Sequence, residues 1–591
     1  MDIITKKTTR SLPQVFFTQA KTHGARKFIW NKHHDRWIGL SYQEVAQQVR
    51  DIASGLIARG INAGDRVVII SENRLEWVVA DLAIMAIGGI SVPAFISNTT
   101  DDHLHILEDS QAVAVICSSK RLAAIAEPAA EQSPYCRLMV MVEKSQTIHQ
   151  PAGLAVIAWQ QLMKDGTNYA VDIDARIRKI KKDDTACLIY TSGSDSQPKG
   201  VMLTHRSMLH NIFAAQDRFQ SLNLEQEVFL SLLPLSHAYE HTTGLYLPIL
   251  LASEIYHLTA PDQLAQALKD VRPTMMTTVP RLCEVLHDRM HQSINNASGL
   301  EQRLAQLTLR LGHARANQTR LPILQMITDH ILTFLVRRKI RDHFGGRLKV
   351  MVSGGAALPP RVGRFFLAMG LPLTQGYGQT EASPVISVNP LDNNRIASVG
   401  TPLEGVELKL AASGELLVRG DLVMKGYWGR PQETAKVIKN GWLHTGDLAE
   451  IDDDGYITII GRSKDIIVNS GGENISPMRV EARLSGQPNI AQAMVDGDRR
   501  PWLAAVIAPS EECLQRAGGR RDKIISLIQN DIDTANARLT TSERIRRFVL
   551  AEDGFTIENK RLTPTLKIRR HIIRRDFRDQ IDRLYERHSA S

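Results

Sequence analysis

Residues 190–200, YTSGSDSQPKG, gather groups that hold a polyphosphate. Thr191, Ser192 and Ser194 offer hydroxyls, Gly193 lets backbone N–H groups approach an anion, and Lys199 adds a positive charge. Asp195 stands among them and, aimed inward, would repel a phosphate. A Walker A loop needs Gly directly before its Lys and Ser or Thr directly after it. Here Pro198 precedes Lys199 and Gly200 follows, which argues against a P-loop nucleotide triphosphatase. The loop is expected to join a strand to a helix and to bind an anion there. Asp195 is expected to turn outward and cap backbone N–H groups. A plain surface turn is the bland alternative.

Five further stretches follow in order: SGGAAL (353–358), QGYGQTE (375–381), WLHTGDL (442–448), GRSKDIIVNSGGENISP (461–477) and LTPTLKIRR (562–570). The ordered set resembles the adenylate-forming superfamily of acyl-CoA synthetases, nonribosomal adenylation domains and beetle luciferases, over nearly the whole chain. VPRLCEVL (279–286), PLSHAYEHTTG (234–244), the run RRKIRDHFGGRLKVMVSGGA and the ending LTPTLK are most similar to the long-chain fatty-acid–CoA ligases, including bacterial and bubblegum-type members. The phosphate loop of that branch reads TSGTTG-x-PKG. This chain departs from it at Ser194, Asp195 and Ser196.

The resemblance implies roles. Thr191, Ser192, Gly193, Ser194 and Lys199 would cradle the β- and γ-phosphates of ATP. Gln375, Gly376, Tyr377 and Gly378 would line the nucleotide pocket, with Tyr377 along adenine and Gly354 and Gly355 on its other side. Thr380 would hydrogen-bond the α-phosphate. Glu381, with Ser194, would hold Mg²⁺. Asp447, assisted by Arg462, would accept hydrogen bonds from the ribose hydroxyls. His237 would sit between the carboxylate and nucleotide pockets. Lys567 would stabilise the charge that builds when a carboxylate attacks the α-phosphorus. Lys464 matches the family's hinge, and Gly471, Gly472 and Glu473 its coenzyme A-side loop. Taken singly, each of these residue types is more often solvated or part of the packing. Their place in an ordered set is what singles them out.

The implied reaction has two steps. A long-chain fatty acid and MgATP give acyl-adenylate and pyrophosphate; the coenzyme A thiol then displaces AMP. A second reading is a fatty-acyl-AMP ligase that delivers to a carrier protein. A third, non-catalytic reading is a lipid or nucleotide binder in which Asp195 disables ATP use; Lys567, Glu381 and Asp447 argue against it.

These residues need elements to position them. GDRVVII (64–70), ISVPAF, AVAVICSS and DTACLIY read as buried strands with helices between them. SEIYHL, PTMMTTVP, RLKVMVSGG and LPLTQGYG continue the pattern, and such sheets bind ligands at the carboxyl ends of their strands. The helix after residue 70 has Ser71 as its candidate cap. The expected fold is α/β: a large domain over residues 1–461 with parallel sheets, flanking helices and a β-rich subdomain over 391–461, then a small mobile α+β domain over 462–591 whose core ends near Arg570. Residues 297–345 read as a helical insertion with a basic bias, packed on the main body or facing a membrane.

Composition sets the outer bounds. The chain has 591 residues, 43% hydrophobic and 23% charged, enough for a large core. Five widely spaced cysteines without a C-x-x-C fit a reducing compartment and neither a disulfide framework nor a zinc site. The N-terminus lacks the apolar core of a signal peptide. The most apolar window, WVVADLAIMAIGGISVPAF (77–95), is broken by Asp81, Gly88-Gly89 and Pro93, and reads as buried helix, turn and strand. Formal charge is +9, of which +6 lies in residues 560–591. A solvated helix face accounts for most of that tail, and no nucleic-acid role is expected. A cytoplasmic protein is expected, with peripheral contact at the inner membrane face compatible with it; oligomeric state is left open.

Overall fold

Short runs of Val, Ile, Leu and Cys, apolar on both faces and bounded by turns, become the centres of two sheets in a computed structural model of the chain. It describes residues 4–33, 36–143, 153–169, 171–191, 197–258, 261–316, 321–563 and 568–586. The chain divides into two units. One is Met1–Leu358, Val362–Glu407 and Val418–Leu443; the other is Pro359–Arg361, Leu408–Leu417 and His444–Ser591.

In the first unit, an eight-stranded sheet is parallel from Thr185–Thr191 through Ile90–Ala94, Arg66–Ile70, Ala114–Cys117 and Leu138–Met141 to Ala155–Ala158. Its other edge is antiparallel: Lys199–Thr204 pairs with Thr185–Thr191, and the two-residue strand Gly426–Tyr427 is added outside it. A nine-stranded sheet has a parallel centre running Lys27–His33, Glu254–His257, Val228–Ser231, Met275–Thr278, Val350–Ser353 and Leu373–Gly378. The α/β expectation holds, with antiparallel strands confined to the flanks.

The apolar window at 77–95 is the buried helix Leu75–Ala86 followed by the strand Ile90–Ala94. Asp81, the residue that interrupts it, is fully buried, yet it accepts hydrogen bonds from Tyr246 Oη at 2.6 Å and His241 Nε2 at 2.9 Å. A polar partner for each buried charge is what the core requires. Among the described residues no helix is long and apolar enough to cross a membrane.

Three expectations need correction. Ser71 is not a helix cap: its hydroxyl donates to the Glu72 carbonyl at 2.8 Å, and the helix begins four residues later with Arg74 as its cap residue. The phosphate-type loop does not run into a helix. It joins two antiparallel strands, Thr191 lying opposite Lys199, and the helix His205–Arg218 starts only after the second strand. The core of the second unit does not end near Arg570. Phe577 and Ile581, on or beside the last helices, are buried with Met494, Val506 and Phe555.

The second unit holds the three-stranded sheet Ile490–Asp496, Leu503–Pro509 and Ile545–Leu550, covered by helices Pro477–Leu484 and Arg521–Asn536. Its basic tail is largely paired: Arg561 and Arg575 meet Asp576, Arg574 meets Asp496, and Arg570 grips Glu481. These cations serve the fold through ion pairs rather than as a freely solvated helix face.

The described part of residues 297–345 is largely helical, with Gly299–Ala316, Ile323–Leu332 and Arg338–His343, the last two joined by a widened turn at Thr333–Arg337.

Candidate active site

In the first unit the site begins at the stem of the phosphate-type loop. Ser192, Gly193, Ser194 and Asp195 lie outside the described residues; Thr191 and Lys199 close the hairpin beneath them. His105 Nε2 lies 2.9 Å from the Pro198 carbonyl, which fixes the stem on its lysine side. Below, Tyr190 donates to Asp109 at 2.8 Å, and Arg430 reaches the other oxygen of Asp109 at 2.7 Å. Burial, with the Asp109 charge beside it, pushes the Tyr190 phenol upward, so it remains a donor at every physiological pH.

The edge strand Gly426–Tyr427 brings Tyr427 beside Lys199. The Lys199 ammonium lies 5.3 Å from the centre of the Tyr427 ring and pairs with Glu433 Oε2 at 2.9 Å. At the tip of the ring, Tyr427 Oη donates to Glu381 Oε1 at 2.9 Å. One aromatic ring therefore separates the cation predicted for the phosphates from the carboxylate predicted for the metal. Lys436 and Lys199 together hold the Glu433 carboxyl down at about 2, so the pair with Lys199 is ionic at working pH.

Thr380 and Glu381 lie on a single turn, Thr380–Ala382, after the strand Leu373–Gly378. The backbone here is crowded: a Cβ on Gly378 would fall 1.8 Å from the Pro384 carbonyl oxygen, so only glycine fits. Asn211, on helix His205–Arg218, clamps the turn. Its amide donates to the carbonyls of Ala382 and Val385, each at 3.2 Å, and its carbonyl receives the Val385 N–H at 2.9 Å. Gln375 serves the fold: its carbonyl receives the Leu358 N–H and its amide donates to the Ser398 carbonyl, both at 2.8 Å. Gly376 and Tyr377 sit opposite Val388 and Ser387 in the strand pair, and Tyr377 is half-buried.

Gly354 and Gly355 follow the strand Val350–Ser353, and the Tyr239 ring covers Gly354 so closely that a Cβ would lie 3.0 Å from it. Tyr239 donates to the Val352 carbonyl at 2.9 Å. His237 is half-buried two residues earlier, its Nδ1 receiving the Tyr239 N–H at 3.2 Å. Next comes Glu240, fully buried at the start of the wide helical segment Glu240–Tyr246. Ser231 and Thr277 hydroxyls donate to it at 2.6 and 2.5 Å. Burial outweighs those bonds and raises the carboxyl to about 7.

The second unit holds the other predicted residues. Asp447 is buried and faces Arg462 across the strands Trp442–Ile451 and Ile457–Arg462, with Arg462 Nε 3.0 Å from Asp447 Oδ1. Lys464 is exposed on the short turn Ser463–Asp465. Gly471, Gly472 and Glu473 form the exposed tip of a small hairpin in which Asn469 Oδ1 receives the Gly471 and Glu473 N–H groups at 2.9 and 3.0 Å. Gly472 has φ +80°, where only glycine is free of strain. Lys567 lies outside the described residues, but its flanks do not: Leu562 bridges Ile568, and Arg570 holds both oxygens of Glu481 at 2.7 and 2.5 Å.

Glu433, Tyr427, Asn211 and Glu240 are the residues that sequence reasoning passed over. The stretch GYWGRPQET did carry a signal, a helix start at Pro431 with an acid in its first turn. Its partner Lys199 is 234 residues away and no spacing reports that pairing. Among the described residues no three His, Cys, Asp or Glu side chains cluster as a metal site. One carboxylate is nevertheless what Mg²⁺ uses when phosphates and water supply the rest, and Glu381, bonded to Tyr427, fits that demand. All five thiols are buried, and burial pushes them up, to about 12 for Cys136 and Cys283; none is a poised nucleophile.

Comparison with known proteins gives the family and the fold. The description of the AMP-binding enzyme family matches residues 16–428, and that of the AMP-binding enzyme C-terminal domain matches residues 464–589. The long-chain-fatty-acid–CoA ligase FadD15 of Mycobacterium bovis is 32% identical over 575 residues, covering 93% of both chains. The chloroplastic long-chain-fatty-acid–[acyl-carrier-protein] ligase AEE15 of Arabidopsis thaliana is 29% identical over 640 residues, 98% of this chain and 87% of that one. The crystal structure of the adenylation domain of a carboxylate reductase from Mycobacterium chelonae superposes with a TM-score of 0.76 at 21% identity, covering 98% of this chain and 92% of that one, which speaks to the fold.

Proposed function

The chain belongs to the AMP-binding enzyme family and is an adenylate-forming acyl ligase; from that premise we propose that it activates a long-chain fatty acid with ATP and transfers the acyl group to coenzyme A. The observation that carries the nucleotide half is the junction at Tyr427, which spaces the Lys199 ammonium from the Glu381 carboxylate by one ring. A triphosphate laid along the loop would meet the cation on one side and a carboxylate-held Mg²⁺ on the other. The acyl half rests on the identity with long-chain ligases.

In this reading Lys199 and the backbone and hydroxyls of residues 191–194 bind the β- and γ-phosphates. Thr380 donates to the α-phosphate, Tyr377 and the Gly354-Gly355 backbone hold adenine, and Asp447 and Arg462 orient the ribose. Mg²⁺ on Glu381 and Ser194 would neutralise phosphate charge. Lys567 would place its ammonium over the charge that develops as the fatty carboxylate attacks and pyrophosphate leaves. His237 stands between the carboxylate and nucleotide pockets. Large and small catalytic domains divide at residues 461 and 462, and Lys464 turns the small one so that residues 471–473 serve the coenzyme A step. No protein thiol takes part; the nucleophile of the second step is the coenzyme A sulfur.

The likeness to an acyl-carrier-protein ligase favours one competing acceptor, a phosphopantetheinyl protein. Acyl transfer measured side by side with coenzyme A and with a holo carrier protein separates the two. Faster turnover with the carrier protein overturns the coenzyme A assignment and leaves adenylation intact.

A further inference from the structure

The helix Ile323–Leu332 and the turn after it are inside out. Ile323, Leu324, Met326, Ile327 and Ile331 are 52–80% exposed, and Phe334 and Leu335 in the following turn are 60% and 50% exposed. The opposite, inward face holds an ion pair. Arg337, 4% exposed, bonds Asp329 Oδ1 at 2.6 Å, the Asp329 and Ala368 carbonyls at 3.1 and 2.8 Å, and the Thr308 carbonyl at 3.5 Å. A surface helix ordinarily does the reverse, burying its apolar stripe and wetting its charges. Polar bonds thus anchor this segment to the body while it presents a continuous apolar face outward. A patch of that kind marks an interaction site.

Charge selects the occupant. The helix Arg338–His343 continues from the stripe with Arg338, Lys339 and Arg341 exposed, and Arg315 is exposed beside Asp329. Residues 297–345 carry eight Lys and Arg against three Asp and Glu. A second copy of this chain seated here would bring that excess against itself. An anionic bilayer surface meets both halves of the pattern, lipid chains taking the apolar residues and headgroups the cations.

We propose that residues 323–341 form an in-plane docking face for an anionic lipid membrane. The proposal rests on the fatty-acid ligase reading only in supplying a reason for the contact, since a long-chain fatty acid resides in bilayers.

The test is co-sedimentation of the full chain with vesicles of mixed phosphatidylcholine and phosphatidylglycerol, against vesicles of phosphatidylcholine alone. Binding is expected to the mixed vesicles and to weaken with salt. Joint replacement Leu324→Gln, Ile327→Gln, Ile331→Gln and Phe334→Gln should lower the partition coefficient about ten-fold or more, with pyrophosphate release from ATP and laurate in vesicle-free buffer unchanged. Should that variant fold poorly, Arg338→Gln with Lys339→Gln decides: binding to the mixed vesicles should fall several-fold and the response to salt should shrink. Equal binding by wild type and variants, or no binding by wild type, overturns the proposal. So does a dimer in sedimentation velocity that the apolar replacements dissolve while vesicle binding is absent, because the occupant is then a second copy. Loss of ligase activity in every sample contradicts the enzymatic reading instead, and vesicle binding still decides this one.

Discussion

Lys199 and Glu433 form an ion pair at 2.9 Å, at the stem of the loop proposed to receive the phosphates of ATP. The carboxylate occupies the lysine in the way an oxyanion would. In the proposed reading, ATP competes with Glu433 for the same ammonium.

Glu433→Gln should lower the KM for ATP by up to about five-fold, the scale of one exposed ion pair, and leave kcat little changed. Lys199→Ala should instead raise that KM by about ten-fold or more. Initial-rate kinetics at varied ATP checks both. Because Glu433 stays ionised down to about pH 2, the effect should be flat across the neutral range; a Glu433→Gln enzyme with a raised KM would show that the carboxylate assists ATP binding.

Glu240 gives the protein a pH-dependent stability. Its carboxyl rises from an ordinary value near 4.5 to about 7 in the folded chain. The folded state then binds the proton more tightly than the unfolded state, so the contribution of Glu240 to stability is full below about pH 4.5 and is lost as pH rises through 7. The difference amounts to about 3 kcal/mol. Glu240→Gln keeps an acceptor for Ser231 and Thr277 and removes the titration. Its Tm should fall less than that of wild type between about pH 5 and pH 8. Parallel melting curves for the two proteins would place the ionisation elsewhere.

Asp195 belongs to the expected phosphate cradle, and the sequence leads to the expectation that it faces outward. Asp195→Thr should change the KM for ATP little and lower the stability of the loop slightly. A several-fold fall in that KM means that the carboxylate faces the phosphates; a higher Mg²⁺ requirement means that it helps hold the metal.

Much of this architecture was legible in the chain. The buried strands 66–70, 114–117 and 185–191 follow from apolar runs that no helix of that length accommodates. Asp81 marked the helix 75–86 as internal, though its partners His241 and Tyr246 could not be named from spacing. What failed was local chemistry that tertiary pairing overrides. Ser71 has the right side chain for a cap, but its chain geometry directs the hydroxyl to the Glu72 carbonyl. The phosphate-type loop lacked any signal that residues 199–204 would fold back on 185–191, since KGVMLT reads as well for a helix approach as for a strand. Glu433 and Asn211 act across 234 and 174 residues of sequence, and such distances leave no periodicity behind.

Lys567→Ala separates the two half-reactions. Adenylation should fall by about 10² or more, the scale for losing one preorganised charge contact. Thiolysis of supplied acyl-adenylate should persist, because the proposal gives Lys567 a role in the first step alone. If both half-reactions collapse in a folded variant, Lys567 does not act in adenylation alone.

The most direct measurement is a product balance. Palmitate, MgATP and coenzyme A are incubated with the wild-type protein, and pyrophosphate, AMP and palmitoyl-CoA are quantified together. Equimolar formation of all three, with pyrophosphate release dependent on palmitate, is the predicted result. Pyrophosphate with accumulating palmitoyl-adenylate and no palmitoyl-CoA would contradict the proposed acceptor, and an absence of palmitate-dependent pyrophosphate would contradict long-chain fatty-acid activation itself.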